Sequence, residues 1–325
     1  HFHLLNNCMK KKILIIKTPN LPIKEIRNSI SHTKDYQICL VENQKKKIFD
    51  NLSDSVALIN LPRFLFSDKI LDEGKELKWI HIGGAGCEEF LTQKLIKSDI
   101  TLTNGKIIQG PEVSDHAVAL LLALTRNLKY HIRDENCNLR PIELYKKKVG
   151  IFGGGGIGML ICEKLSAFGC VIKVFNDKLI PLTSFVDEFE LLDFKKIKLQ
   201  DLDIIICALP LTQNTKKKFD SSFFRKMKKN SIFINISRGK TVQTEALVKF
   251  LKEKKFFGVA LDVSDPEPLH ESHFLRNSPN VILTPHIAGL SEKNRDRSYE
   301  LLKENIKRFI QNCELMNTVD KKLGY

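Results

Sequence analysis

Hydrophobic and polar positions alternate along this chain in two rhythms. Short, nearly unbroken apolar runs recur, and between them lie longer stretches whose apolar positions return every three or four residues. The first kind suits strands buried on both faces, the second helices with one buried stripe. Early runs fall at residues 12–16, 36–41, 56–60 and 79–82, with a helical stretch at 23–31, and this series ends near Asn104-Gly105. A second series follows at 149–152, 171–175, 203–208, 231–236, 258–263 and 281–284, with helical patterns at 159–168, 221–227 and 244–254. A last helical period spans 292–311, with Leu301, Ile306, Phe309 and Ile310 among its apolar positions. Strands alternating with helices predict parallel sheets flanked by helices. The expected fold is therefore α/β: two doubly wound parallel-sheet domains, Rossmann-like or flavodoxin-like, with a cleft between them.

Between the two series, Gly110-Pro111-Glu112-Val113-Ser114-Asp115 reads as a helix start, with proline and acids in the first turn. Its body, residues 116–128, is apolar on nearly every side. Such a helix must be buried, and the sequence places it between domains or between subunits.

The second series opens on Lys148-Val-Gly-Ile-Phe-Gly-Gly-Gly-Gly-Ile-Gly158. Glycines at 153, 155 and 158 give G-x-G-x-x-G between a strand and a helix, the context that makes the motif informative. Gly153 allows the tight turn, Gly155 lets backbone approach a pyrophosphate, and Gly158 lets the helix pack close to the strand. The helix N-terminus then offers its N–H groups to phosphate. A dinucleotide site is expected here.

Composition narrows the alternatives. A chain of 325 residues is long for one core and suggests two domains, and its 42% hydrophobic and 28% charged content is that of a globular protein. The longest apolar run, 117–124, is far short of the ~20 residues that span a bilayer, so no membrane partner is expected. The net charge of +14 raises the question of nucleic acid, yet the lysines sit in short separate runs at 10–12, 45–47, 146–148 and 216–218. No aromatic and basic signature accompanies them, so a solvated basic surface is the expectation. Eight scattered cysteines (8, 39, 87, 137, 162, 170, 207, 313) show no metal-ligand spacing, which predicts a reduced, cytoplasmic chain without a metal site. His1–Cys8 fits no fold pattern, and Met9 stands just ahead of the first strand as a candidate natural start.

Ligands of open α/β sheets sit beyond the carboxyl ends of the strands. Three strands of the second series end in Ser237-Arg238-Gly239, in Asp262-Val263-Ser264-Asp265-Pro266-Glu267-Pro268-Leu269, and in Thr284-Pro285-His286-Ile287-Ala288-Gly289. Taken singly, Arg238 reads as a surface cation, Glu267 as a turn residue and His286 as a packed imidazole. Together they form an acid–base site. Histidine exchanges protons near neutrality, a carboxylate beside it orients the ring, and arginine presents a planar fork to a carboxylate. Beside a nicotinamide, that set suits hydride transfer between a 2-hydroxy acid and a 2-keto acid.

These motifs occur in order with Ala208-Leu209-Pro210-Leu211-Thr212-Gln213-Asn214-Thr215, Asn235-Ile236-Ser237-Arg238-Gly239 and an ending Asn317-Thr318-Val319-Asp320. Over nearly its whole length the chain resembles the D-isomer-specific 2-hydroxyacid dehydrogenases. The resemblance implies NAD(H) or NADP(H) as cofactor and a small 2-keto or 2-hydroxy acid as substrate. It implies that Arg238 binds the substrate carboxylate and keto oxygen, and that His286 is the acid and base with Glu267 as partner. It puts Asp262 near the nicotinamide carboxamide, the backbone of Gly156 and Ile157 at the pyrophosphate, and Leu209, Ile236 and Gly289 along the cofactor cleft. In the first domain Gly83-Gly84-Ala85-Gly86 matches the substrate loop, the N–H groups of Ala85 and Gly86 gripping the carboxylate; alone it reads as a turn with an anion nest. The resemblance further implies a discontinuous substrate domain, residues 9–106 plus 291–325, a dinucleotide domain at 107–290, and a homodimer through residues 114–128.

Two departures stand out. Asn176 occupies the place of the ribose-binding acid, followed by Asp177 and Lys178. Asp177 at the ribose would favour NAD, whereas Asn176 with Lys178 would accommodate a 2′-phosphate; both stay open. Gly156 stands where a larger polar or basic residue is often found, leaving backbone to hold the phosphate. Arg63 is a candidate cation for a phosphorylated substrate. A reading from another class is a non-catalytic NAD(H)-sensing protein of the corepressor type on the same fold.

Overall fold

The computed structural model describes residues 10–133, 139–181 and 183–325. The readings placed on residues 1–8, on Met9 and on Cys8 and Cys137 lie outside them. Two compact units emerge, one reaching to Ile108 and resuming at Glu292, the other running from Gln109 to Ser291.

The first unit alternates β1 (Lys11–Ile16), α1 (Ile23–Ser29), β2 (Tyr36–Val41), α2 (Lys45–Phe49), β3 (Ser55–Ile59), α3 (Asp68–Glu73), β4 (Trp79–His81), α4 (Gln93–Lys97) and β5 (Thr101–Thr103). Its strands pair in parallel in the order β2-β1-β3-β4-β5, the flavodoxin-like winding. Parity along the strands assigns the core. Leu14, Ile16, Leu58 and Ile80 join one cluster, and Ile13, Ile15, Ala57, Ile59 and Trp79 join the other. A sheet covered on both faces is why its strands read as unbroken apolar runs.

The second unit opens with α5 (Gly110–Thr125) and α6 (Leu128–Ile132). It continues through β6 (Lys148–Phe152), α7 (Gly156–Ser166), β7 (Val171–Asn176), β8 (Glu188–Leu191), β9 (Ile204–Cys207), α8 (Ser221–Lys226), β10 (Ser231–Asn235), α9 (Thr244–Lys252), β11 (Phe256–Leu261), α10 (Phe274–Asn277) and β12 (Val281–Leu283). The last helix, α11 (Asn294–Ile310), returns to the first unit, where Leu302 and Ile306 pack with Ile26 of α1. The second sheet is also wholly parallel, in the order β12-β11-β10-β9-β6-β7-β8. The order reverses at the β6–β9 boundary, so the turn after β6 stands at the switch point where open α/β sheets bind ligands. One face is aliphatic, with Val149, Ile151, Val174, Ile206 and Ile234, while the other carries Phe152, Phe175, Phe219, Phe223 and Phe233. Phe152 and Phe175 stack at 4.6 Å between ring centroids, and Phe219 meets Phe223 edge-on at 4.7 Å.

One expectation is corrected. The all-apolar helix is α5, and it ends at Thr125; Asn127 turns left-handed at φ 55° and Leu128 opens α6 with 41% exposure. Its burial is met largely inside its own unit, where Val113, Ala117, Leu121 and Leu124 join the aliphatic cluster of the sheet. Two strands were also unanticipated, β5 and β8. Both end their sheets, with sequences Thr-Leu-Thr and Glu-Phe-Glu-Leu that carry no apolar run, and the outer edge of β5 is met by residues 317–319 rather than by another strand. No helix among the described residues is long and apolar enough to cross a membrane.

Candidate functional site

The glycine turn has the form its spacing predicts. Gly153 sits at φ 109°, a conformation glycine adopts at little cost, and a Cβ there would lie 2.7 Å from the carbonyl oxygen of Ala208. A side chain on Gly158 would collide with the Gly153 carbonyl, so the third glycine lets α7 close onto the turn. Over Gly155, the N-cap of α7, a Cβ would meet nothing within 4 Å. That open approach, facing the first-turn N–H groups that no helix satisfies internally, fits the pyrophosphate of a dinucleotide. Gly156 and Ile157 begin α7 as expected.

Asn176 ends β7 and braces the turn. Its Oδ1 accepts from the Gly154 N–H at 2.9 Å, and its Nδ2 donates to the Lys178 carbonyl at 2.9 Å. Asp177, the next residue, is exposed. Leu209 and Ile236, expected along the cleft, are 5% and 6% exposed and belong to opposite core faces of the sheet. Gly289 lies against Gln109, whose Nε2 donates to its carbonyl at 3.3 Å.

The three strand ends come together within the second unit. After β10, Asn235 Oδ1 accepts from both the N–H and hydroxyl of Ser237, at 3.0 and 2.8 Å, and its Nδ2 donates to the Arg238 carbonyl at 3.1 Å. Arg238 Nη1 donates to the Ser237 carbonyl at 2.8 Å. A side chain on Gly239 would strike the Ser264 carbonyl, so this loop lies directly on the one after β11. There the Ser264 N–H donates to Glu267 Oε2 at 3.2 Å, and Glu267 Oε1 lies 2.6 Å from His286 Nδ1. Both side chains are partly open, 41% and 44% exposed. Engaging Nδ1 fixes the ring and leaves Nε2 for exchange with a ligand. A cavity of about 470 Å³ is lined by Asp262, Ser264, Glu267, Thr284 and His286.

Asp262 is the buried centre of this end of the sheet. Its side chain is 1% exposed, and Oδ1 accepts from the Thr284 hydroxyl at 2.6 Å and the Ile287 N–H at 3.0 Å. Oδ2 accepts from the Ala288 N–H at 3.0 Å, and His116 Nε2 of α5 lies 3.4 Å from Oδ1. Burial alone would raise the carboxyl, but His116, Thr284 and the two amides outweigh it and hold the pKa down at about 2. His116 and Asn235 carried no expected role. An isolated histidine inside an apolar helix pattern was the one available signal for the former.

In the first unit, Ala85 and Gly86 follow β4. Asn104 Nδ2 donates to the Ala85 carbonyl at 2.6 Å and the Gly105 N–H to the Gly84 carbonyl at 2.9 Å, so the loop is clasped from β5. Arg63 pairs with Glu89 at 3.1 Å on the surface, both more than half exposed.

Residues 118–288 match the family model described as D-isomer specific 2-hydroxyacid dehydrogenase, NAD binding domain. The chain is 31% identical over 305 residues to a glyoxylate reductase of Thermofilum pendens, covering 90% of this chain and 88% of that one. It superposes on a probable 2-hydroxyacid dehydrogenase of Rhizobium etli, solved with NADP, with a TM-score of 0.79 and 23% identity, over 97% of this chain and 100% of that one. A glyoxylate reductase of Paecilomyes thermophila gives a TM-score of 0.81 and 23% identity, over 97% and 99%.

Proposed function

Because the chain belongs to the D-isomer specific 2-hydroxyacid dehydrogenases, a family of NAD(P)-dependent oxidoreductases, we propose that it interconverts small 2-keto acids and D-2-hydroxy acids, glyoxylate and hydroxypyruvate foremost. The observation that carries the reading is the 2.6 Å pair of Glu267 and His286 in contact range of the Arg238 loop, on a sheet whose switch point holds the glycine turn. Bound NAD(H) or NADP(H) supplies the hydride. Arg238 binds the substrate carboxylate and polarises the keto oxygen with its fork of donors. His286 delivers a proton from Nε2 to that oxygen as C2 is reduced, and takes it back in oxidation. Glu267 stabilises the imidazolium between these events. The backbone N–H groups of Ala85 and Gly86 are further proposed donors to a carboxylate. The cofactor contacts are those of Gly153, Gly155, Gly156, Ile157 and Gly158, with Asp177 at the ribose.

The test is oxidation of NADH and of NADPH with glyoxylate, hydroxypyruvate, pyruvate and longer keto acids. Turnover is expected with at least one pair. Tight cofactor binding without turnover on any keto acid would overturn the reading in favour of a nucleotide-sensing protein. His286→Ala should lower kcat by ~10²–10⁴-fold, and Arg238→Ala should chiefly raise KM for the acid. A cytoplasmic homodimer through residues 114–128 completes the proposal. Exposed Leu128, Ile132, Tyr145 and Phe168 near that segment support the dimer. A monomer in sedimentation equilibrium would remove the dimer.

A further inference from the structure

His286 holds an unusual backbone. Its φ is 55°, in the left-handed region that residues with a Cβ rarely adopt. Three consecutive amides keep it there. His286 N–H donates to the Asp262 carbonyl at 2.8 Å, Ile287 N–H to Asp262 Oδ1 at 3.0 Å, and Ala288 N–H to Asp262 Oδ2 at 3.0 Å. The loop that carries the imidazole is therefore wrapped around one aspartate, with the amides of Ile287 and Ala288 on its carboxylate and that of His286 on its backbone carbonyl.

What fixes the carboxylate reaches beyond the loop. The Thr284 hydroxyl gives its one proton to Asp262 Oδ1 at 2.6 Å. Its oxygen can then only accept from His116, whose Nε2 lies 2.9 Å away, so that ring nitrogen carries a proton. His116 belongs to α5, a helix far from β12 in sequence, and its side chain is only 19% exposed. The chain of donors runs His116 to Thr284 to Asp262, and Asp262 in turn receives the three amides of the His286 loop.

We propose that His116 is a positioning residue for the acid–base reaction, its Nε2–H orienting Thr284 and Asp262 so that the left-handed His286 loop presents the imidazole to substrate. The proposal rests on the reading of His286 as the proton donor and acceptor. It assigns to α5 a task distinct from packing. Through one ring nitrogen, the helix sets the geometry of a loop far from it in sequence.

Two variants separate this from packing. His116→Phe keeps a planar ring but removes the donor, while His116→Gln places an amide N–H close to the position of Nε2. With His116→Phe, kcat should fall by ~10–100-fold, the scale expected when a reacting group moves by about 1 Å. KM for keto acid and cofactor should change far less. His116→Gln should restore most of kcat. A second readout needs no turnover: the His286 ring signals in nitrogen–proton NMR of the protein should move in His116→Phe and return in His116→Gln. Unchanged kcat and His286 signals in His116→Phe would overturn the proposal, and so would equal losses in both variants, which would mean a packing role. If wild type turns over no keto acid, the functional reading fails, yet the NMR comparison still decides the positioning. Should His116→Phe not fold, Thr284→Val against Thr284→Ser carries the same comparison through the next donor. Loss in the first and recovery in the second is expected, and equal behaviour would overturn the chain of donors.

Discussion

Each unit contains a threonine hydroxyl bridging a histidine to a second polar group, and the two bridges run in opposite directions. In the first, Thr103 accepts from the Trp79 indole N–H at 2.8 Å and lies 2.8 Å from His81 Nδ1. Among the described contacts His81 Nδ1 is the acceptor within reach of the hydroxyl proton, so the ring is assigned the tautomer protonated at Nε2, and burial pushes its pKa down to about 4. In the second, Thr284 gives its proton to Asp262 and accepts from His116, and the carboxylate stays charged with its pKa near 2. His81 and Asp262 are 3% and 2% exposed, so burial does not separate them. The number of donors does. Asp262 gathers two amides, a hydroxyl and an imidazole, while His81 meets a single hydroxyl; one group becomes a charged anchor, the other a neutral core residue.

The hardest way to break the contrast is Asp262→Asn. The side-chain amide would turn an N–H₂ toward donors that now point at a carboxylate, leaving buried donors unpaired. Removing one partner of a buried charged network costs ~3–5 kcal/mol, and the His286 loop loses two of its three anchors. The denaturation midpoint should drop sharply and kcat should fall by ~10²-fold or more. His81→Gln should cost ~1–2 kcal/mol and leave kcat unchanged. If Asp262→Asn kept wild-type kcat, the carboxylate would not hold the site.

The contrast also predicts two separate acid transitions. Unfolded His81 takes up a proton near its ordinary pKa of 6.5, whereas folded His81 resists until about 4. Between those values the unfolded chain binds more protons, so stability falls as pH falls, by about 3 kcal/mol in all. Asp262 acts lower. Unfolded it protonates near 3.8, folded only near 2, so its contribution is present above pH 3.8 and is lost as pH falls toward 2, by roughly 2 kcal/mol. Denaturant titrations of His81→Gln should lose the upper step and keep the lower one. An unchanged slope between pH 6.5 and 4 would show that His81 is not its source.

Legibility in the sequence followed the same physics. Strands buried on both faces, such as Ile204–Cys207 and Ser231–Asn235, were plain as apolar runs, and the glycine turn was plain because each glycine answers a steric demand. The edge strands β5 and β8 were not, since Thr-Leu-Thr and Glu-Phe-Glu-Leu carry no apolar run. Arg238, Glu267 and His286 could be read from their places at strand ends. His116 could not, because its partners lie 146 and 168 positions away (262 − 116 and 284 − 116), and no local pattern encodes a side-chain contact at that range. Nor could the bond by which Asn176 braces its own turn, Oδ1 accepting from the Gly154 N–H.

The finest comparison uses the two threonines themselves. Thr103→Val and Thr284→Val make the same chemical change, replacing a buried hydroxyl with a methyl of similar shape. Each removes the bridging hydroxyl, between the Trp79 indole and His81 Nδ1 in one case and between His116 Nε2 and Asp262 Oδ1, which are 3.4 Å apart, in the other. An unsatisfied buried group costs ~1–3 kcal/mol, so both variants should lose stability by a similar, modest amount. They should differ in catalysis. Thr103 lies in a bridge whose histidine is a neutral acceptor within β4 and β5, so kcat should hold. Thr284 lies in the bridge that orients the anchor of the His286 loop, so kcat should fall while the melting temperature matches that of Thr103→Val. Equal kcat in the two variants, at equal loss of stability, would mean that the direction of a threonine bridge has no bearing on the site.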